Sequence, residues 1–446
     1  MKKDILALSL LICFAACNGS HEPAAVNDSN TPLHLLKPAY EVPYGVPTAS
    51  DIKSSVNKVK AFIESATPMA MVDEDHLQQG TFRLTSYEWG VTYQAMLAAG
   101  RRMSDASYTR YATDRMRFLA EQYPHFKSMY EQKGQTDPQM RSVVHPQALD
   151  DAGAVCTAMI KAQLADSTLA LLPLIENYVD YIMYHEYRLS DGTFARRRPL
   201  VDAVWLDDMF MGIPALAWYG RLEGGQPYYD EAVRQVRLFA QKMWVEEKQL
   251  FRHGWVASMA EHPSFHWARA NGWAILTLTE VLDALPEDYP DRDFVLQLLQ
   301  KHAYGLLQYQ SSEGFWHQLI DRSDSYLETS ATAIYAYCIA HGICEGWLDA
   351  LVCGPSVLLA WNAVSTKITA DGQVEGTCVG TGMGFDPAFY YYRPVHALAA
   401  HGYGPVIMAG AEVCRLLECF HPQMNDSAVQ FYTEDYSDKG PIFSLP

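Results

Sequence analysis

The chain is 446 residues long and carries 52 acidic against 34 basic side chains, a net charge of −18. That balance, with no Lys/Arg-rich tract, excludes nucleic acid as a partner and means that an anionic ligand has to be held by local arginines against the global field. Hydrophobic residues make up 49% of the chain, which suits a large buried core.

In chain order, Met1-Lys2-Lys3, an apolar run from Ile5 to Ala16 and then Cys17-Asn18-Gly19 form a secretory signal, too short to persist as a membrane-spanning helix. Ala15-Ala16 directly before Cys17 resemble a bacterial lipoprotein cleavage site rather than an ordinary signal-peptide site. Residues 1–17 are therefore expected to act as a lipoprotein signal, with the protein exported to the periplasm or outer membrane and touching the membrane only through a lipid on Cys17. Residues 18–50, rich in Pro, Asn, Ser and Ala, read as a tether. No second linker interrupts residues 51–446, so one large domain is expected there. Its seven cysteines (156, 338, 344, 353, 378, 414 and 419) are odd in number and mostly within helical patterns. They read as thiols rather than a disulfide framework, and none has zinc-site spacing.

Helical periodicity dominates the rest. Apolar residues recur at spacings of three and four over 91–99, 108–122, 152–165, 169–184, 229–243, 273–285, 294–309, 329–341, 348–368 (with a break expected near Pro355) and 405–417. Alternating strand patterns are nearly absent. Between the helices lie loops loaded with Trp, His, Arg, Asp and Gly. Paired helices with such loops fit either a solenoid or a closed toroid of hairpins, and the concentration of polar and aromatic residues in the loops favours the toroid, where they converge on one cavity.

Five segments combine reactive side chains with helix starts: Tyr87-Glu88-Trp89-Gly90; His145 to Gly153, with the pair Asp150-Asp151; Arg196-Arg197-Arg198 followed by Trp205-Leu206-Asp207-Asp208-Met209-Phe210-Met211; His253-Gly254-Trp255 with His266 to Trp273; and Glu375 to Gly382 followed by Tyr390 to Arg393. Each has a plainer reading. An Asp before an apolar helix is a common N-cap, an Arg run is often a solvated face, and a buried Trp is often core. The Gly-rich segment 379–384 lacks the Lys-Ser/Thr pair and the preceding strand of a phosphate loop. Taken together, however, two carboxylate sites, arginines and several tryptophans point to an acidic carbohydrate, since aromatic faces stack on sugar rings while guanidinium binds carboxylates. Paired carboxylates from different loops can split their pKa values into acid and base roles.

The ordered set Tyr87-x-x-Gly90, Leu149-Asp150-Asp151-x-Gly153, Trp205-x-Asp207-x-x-Phe210-Met211, His253-x-Trp255 and Trp267-x-Arg269-x-Asn271-Gly272-Trp273 resembles the unsaturated rhamnogalacturonyl hydrolases of glycoside hydrolase family 105. These are related to the unsaturated glucuronyl hydrolases of family 88. Gly314 to Gln318, Tyr326 to Ala331 and Gly376 to Gly382 extend the resemblance over roughly residues 56–417.

The resemblance implies an all-α (α/α)6 toroid over residues 51–446 and hydration of a 4,5-unsaturated uronic acid at the non-reducing end of lyase-generated oligosaccharides. It implies Asp207 as the proton donor and Asp151 as the second carboxylate, with Asp150 the alternative, and no metal or organic cofactor. Tyr87, Trp89, His253, Trp267 and Arg269 are implied to line the subsite for the unsaturated sugar, Arg269 pairing with its carboxylate. Asp208, variable in relatives, is left a supporting or capping role. Arg196 and Arg197 stand where relatives carry a His-Lys pair and are expected to contact substrate. For Asp207 to act as an acid, burial against Trp205 and Phe210 with Asp151 nearby is expected to raise its pKa. A conventional (α/α)6 glycosidase, a uronate lyase and a non-catalytic glycan-binding lipoprotein are the competing readings.

Overall fold

The computed structural model describes residues 45–436 except 263 and 425–427. The signal sequence, Cys17 and nearly all of the tether lie outside the described residues. Fourteen α-helices follow in order: α1 (Ala49–Ala66), α2 (Tyr87–Arg102), α3 (Ala106–Lys133), α4 (Pro138–Val144), α5 (Leu149–Ala165), α6 (Leu172–Asp180), α7 (Asp208–Tyr219), α8 (Gln226–Met243), α9 (Ala268–Ala284), α10 (Arg292–Leu307), α11 (Thr329–Cys344), α12 (Ala350–Ser365), α13 (Pro387–Tyr391) and α14 (Tyr403–Cys419).

Six of these pack in a closed cycle: α2 on α5, α5 on α7, α7 on α9, α9 on α11, α11 on α14, and α14 back on α2. The outer partners α1, α3, α6, α8, α10 and α12 lean on this ring from outside. Closure decides between the two architectures left open by the sequence, and the fold is an (α/α)6 toroid. The division of labour is written in side-chain burial. Inner α11 buries fifteen consecutive residues from Thr329 to Ile343, whereas outer α8 buries a stripe of Tyr229, Ala232, Val233, Val236, Phe239 and Met243. A helix apolar all round belongs inside, and a striped one belongs at the periphery.

Close approach between inner helices rests on small residues. A Cβ on Gly153 of α5 would lie 1.7 Å from the carbonyl oxygen of Met211 on α7, and one on Gly90 of α2 would lie 2.4 Å from the backbone of Ala154. The break expected at Pro355 is absent, and α12 continues through it. The carbonyl that Pro355 leaves unbonded belongs to Leu351, in the exposed first turn, where solvent can satisfy it. Among the described residues the strands form only two-stranded ribbons. One of these, Ala203–Trp205 against Gly254–Val256, fixes the loop before α7. The seven cysteines are free thiols.

Candidate active site

All six inner helices begin at the same end of the toroid. Tyr87 opens α2, Asp150 lies in the first turn of α5, Asp207 precedes α7, Trp267 precedes α9, Glu328 caps α11 and His401 precedes α14. Hydrogen bonds link several of these starts, Tyr87 to His401, Asp150 through Arg196 to Asp208, and Arg269 to Ser330. Their positive dipole ends converge there, which makes the mouth hospitable to an anion despite the acidic chain.

At this mouth lies a cavity of 240 Å³ lined by Tyr87, Asp150, Arg196, Arg198, Trp205, Asp207, Met211 and the loop Gly380-Thr381-Gly382. Its hub is Arg196. One edge of the guanidinium donates to both oxygens of Asp150, from Nη1 at 2.9 Å and Nη2 at 2.8 Å. The other edge holds Asp208, with Nε 2.9 Å from Oδ2 and Nη2 2.5 Å from Oδ1. This double bidentate clamp is what a planar guanidinium supplies and an ammonium does not. The cation lies over the Trp205 ring at 4.4 Å, and its two carboxylates hold its pKa well above the ordinary value against the opposing effect of burial. Asp208 is buried, and that burial, with Asp150 and Asp207 beside it, raises its pKa against the pull of Arg196.

Asp207 occupies the N-cap position of α7 without capping it. Its side chain turns instead to His253, whose Nε2 lies 3.0 Å from Oδ2. On the other side of the ring, Nδ1 lies 2.6 Å from the Tyr390 hydroxyl, which in turn accepts from the Gly384 amide at 3.0 Å. The ribbon register makes the pairing possible, because the Leu206 amide donates to the His253 carbonyl at 2.9 Å and brings the two loops together. The net pKa shift of Asp207 is downward. Burial raises it, but the charge and hydrogen bond of His253, then Arg196 and Arg269, outweigh that effect. The expectation of a raised value is thereby corrected: the apolar walls are present, but the partner is a histidine rather than a second carboxylate.

Other sequence-derived positions are also corrected. Asp151 does not line the cavity. Its carboxylate accepts from Arg141 at 2.5 and 3.1 Å and from the Gln147 amide at 2.9 Å, so the second carboxylate of the cavity is Asp150. Trp89 is fully buried, stacked on Phe82 at 4.5 Å and donating to the Tyr111 hydroxyl at 3.0 Å; it is core. Arg197 points away, over the Tyr187 ring at 4.3 Å. Arg269 is 1% exposed and spends its guanidinium on the Cys378 and Val379 carbonyls, at 2.6 and 2.7 Å, with Glu328 at 3.8 Å. It builds the loop wall and does not line the cavity. Trp267 is buried against the His253 ring at 4.7 Å. Asp208 serves as a ligand of Arg196 and not as a cap.

Tyr87 does line the cavity, its hydroxyl 2.6 Å from His401 Nε2. Burial pushes His401 well below the ordinary histidine pKa, with Arg269 adding to the effect, so a neutral imidazole holds the phenol. Arg198, Thr381 and Tyr390 fell within the segments named from the sequence but were given no role there, and His401 lay outside them. The backbone bends at Arg197 and Arg198, just beyond the bridge from Arg196 to Ala203, so their directions are set by the fold. The Arg198 side chain is 65% exposed and lies 3.7 Å from Asp150, its guanidinium 4.9 Å from the Trp205 ring centre.

The chain matches Glycosyl Hydrolase Family 88 over residues 59–417. Its relatives include an unsaturated 3S-rhamnoglycuronyl hydrolase of Formosa agariphila, 28% identical over 48% of this chain and 58% of that protein. Another is the unsaturated rhamnogalacturonyl hydrolase YesR of Bacillus subtilis, 24% identical over 53% of this chain and 68% of that protein. The chain thus spans a little over half the length of the first. In fold it is similar to a possible member of GH105 family from Klebsiella pneumoniae, with TM-score 0.70, 22% identity and coverage of 85% of this chain and 97% of that one. It is also similar to the unsaturated glucuronyl hydrolase of Bacillus sp. GL1, with TM-score 0.58, 14% identity and coverage of 81% and 96%. With the match running through every inner helix of the ring, the chain belongs to Glycosyl Hydrolase Family 88.

Proposed function

We propose that this protein removes a 4,5-unsaturated uronic acid from the non-reducing end of lyase-generated acidic oligosaccharides by hydrating the C4=C5 enol ether. The observation that carries the reading is the Asp207–His253 pair set in the wall of an anion-accepting cavity. A proton passes to C4, water adds its oxygen to C5 and loses its second proton, and the C5 hemiketal opens to a ketone. The hemiacetal left at C1 then breaks down and releases the saturated sugar.

In this reading the acid is the pair rather than Asp207 alone. The proton is shared across the Asp207–His253 contact, and the Tyr390 hydroxyl supports the ring from its far side, donating to Nδ1 or accepting from it while turning its own hydrogen toward the Gly384 carbonyl, 3.5 Å away. When a uronate enters, its negative charge and the exclusion of water both favour the neutral form of Asp207. The proton then moves across the 3.0 Å contact and on to carbon. Arg198, lining the cavity and largely exposed, is the anchor for the uronate carboxylate. Asp150, held by Arg196, faces the same space and accepts the proton of the attacking water. The chemistry draws on these side chains alone. Lyase digests of several acidic polysaccharides test the proposal: wild type bleaches the ultraviolet absorbance of the conjugated double bond in one of them, and Asp207→Asn slows this by at least about 100-fold. Near wild-type turnover by that variant would remove Asp207 from the role.

A further inference from the structure

A second cavity, of 370 Å³, opens at the opposite mouth of the toroid, where the inner helices end. Its wall includes Gln94, Arg101 and Arg102 of α2, Lys161 of α5, Trp218 of α7 and Arg221 just beyond it. On both α2 and α7 the two cavities draw on residues seven positions apart, Tyr87 and Gln94 on the first and Met211 and Trp218 on the second, so about 10 Å of helix separates their nearest walls.

The charge here is opposite to that of the chain as a whole. Lys161 pairs with Glu280, Arg102 with Glu412, and His341 lies 3.0 Å from Asp283 and 3.1 Å from Glu412. His341 is pushed up to about 10: burial opposes this, but the charges and hydrogen bonds of Asp283 and Glu412 prevail, so it is a cation at neutral pH. Counting Arg101, Arg221 and Arg415, which pairs with Glu412 and Glu345, six cations meet four carboxylates. The C-terminal ends of the helices favour positive charge and absorb part of this excess. Arg102 and Lys161 meet that demand with carboxylate partners already in place. Arg101 makes no ion pair or hydrogen bond among the described residues, and Arg221 donates only to the Asp283 carbonyl, at 2.8 Å.

Two neutral groups add chemistry. Gln94 is 2% exposed; its amide nitrogen donates to the Ala154 carbonyl at 3.2 Å, while its Oε1 has no partner. A buried acceptor at a cavity wall calls for a donor from whatever fills the cavity. The Trp218 indole is fixed by its N–H to Glu280 at 2.8 Å and carries the Lys161 ammonium at 4.8 Å and the Arg221 guanidinium at 5.4 Å from its ring centre.

We propose that this cavity is a second ligand site that takes a small polyhydroxylated carboxylate, a sugar acid of monosaccharide size, with its carboxylate on Arg101 and Arg221 and a hydroxyl donating to Gln94 Oε1. The two cations without a carboxylate partner specify the acid, and the orphaned oxygen specifies a hydroxyl donor. The assignment rests on this wall and not on the reaction proposed for the other mouth.

Calorimetric titration of galacturonate into the full-length protein tests it, with galactose and inorganic phosphate as separate arms. Saturable binding is expected in wild type and equally in Arg198→Ala, which lacks the carboxylate anchor proposed for the active-site mouth. Arg101→Ala and Arg221→Ala, both at exposed positions, are each expected to weaken it about tenfold, as loss of a charge-assisted contact does, without changing turnover of unsaturated substrate. Gln94→Leu should weaken it while leaving the charge intact, and galactose should bind far more weakly. Binding that is absent in wild type, lost in Arg198→Ala, or untouched by Arg101→Ala and Arg221→Ala would overturn the proposal. So would phosphate binding as tightly as galacturonate, which would make the cavity a bare anion site.

Discussion

At the scale of single residues the site turns on which of two neighbours faces the cavity. Arg196 and Arg198 face it and Arg197 does not; Asp150 faces it and Asp151 pairs with Arg141. Chemistry alone could not separate such neighbours, because the residue types are identical. Backbone geometry can, by the bend that begins at Arg197 and by the 100° step between successive residues of α5. The types of group were therefore legible in the sequence, while their assignment required the fold. Two experiments follow. Arg198→Ala should raise KM about tenfold or more with kcat largely kept, as removal of a charge-assisted contact made equally in ground and transition states requires. Arg269→Ala should instead lower thermal stability, since it frees the Cys378–Val379 loop and leaves Glu328 buried without its nearest cation. Steady-state kinetics beside thermal unfolding separate the two. His253→Gln tests the pair: kcat should fall by about 100-fold or more with KM little changed. An unaltered kcat would place the acid elsewhere.

At the scale of elements, the outer helices apart from α1 were readable as amphipathic stripes, and three of the inner ones as apolar runs whose first turns were missed. Periodicity placed helix starts at Val91, Ala152 and Trp273, whereas α2, α5 and α9 begin at Tyr87, Leu149 and Ala268. The missing turns are polar because they carry or support the site, and local rules fail there for that reason. The α5–α7 contact joins these turns, and Gly153 sets its distance. Gly153→Ala would put a methyl 1.7 Å from the Met211 carbonyl oxygen, which backbone cannot yield without spreading the helices. A loss of about 1–3 kcal/mol is expected in denaturant unfolding, together with reduced kcat as Asp150 and Asp208 separate across Arg196.

At the scale of the whole molecule, ring closure by α14 against α2 could not be read from a chain of helical pairs, because a solenoid is built from the same local patterns. The far mouth gives closure a pH signature. His341 binds its proton more tightly when folded, so its stabilisation is complete below its ordinary 6.5 and is lost as pH rises through about 10. Asp283 and Glu412 have lowered values, with His341 the leading cause against burial; their contribution is present above the ordinary carboxylate range and fades as pH falls through the lower folded values. His341→Gln should therefore cost about 3–5 kcal/mol near neutrality and much less at high pH, as unfolding curves across pH will show. The central claim concerns the bond that changes at the other mouth. It is tested most directly by measuring, on one lyase-generated substrate, the saturated sugar released against the double-bond absorbance lost. Enol-ether hydration predicts equal amounts of both; saturated sugar released with the absorbance intact would mean attack at the anomeric carbon and would contradict the account.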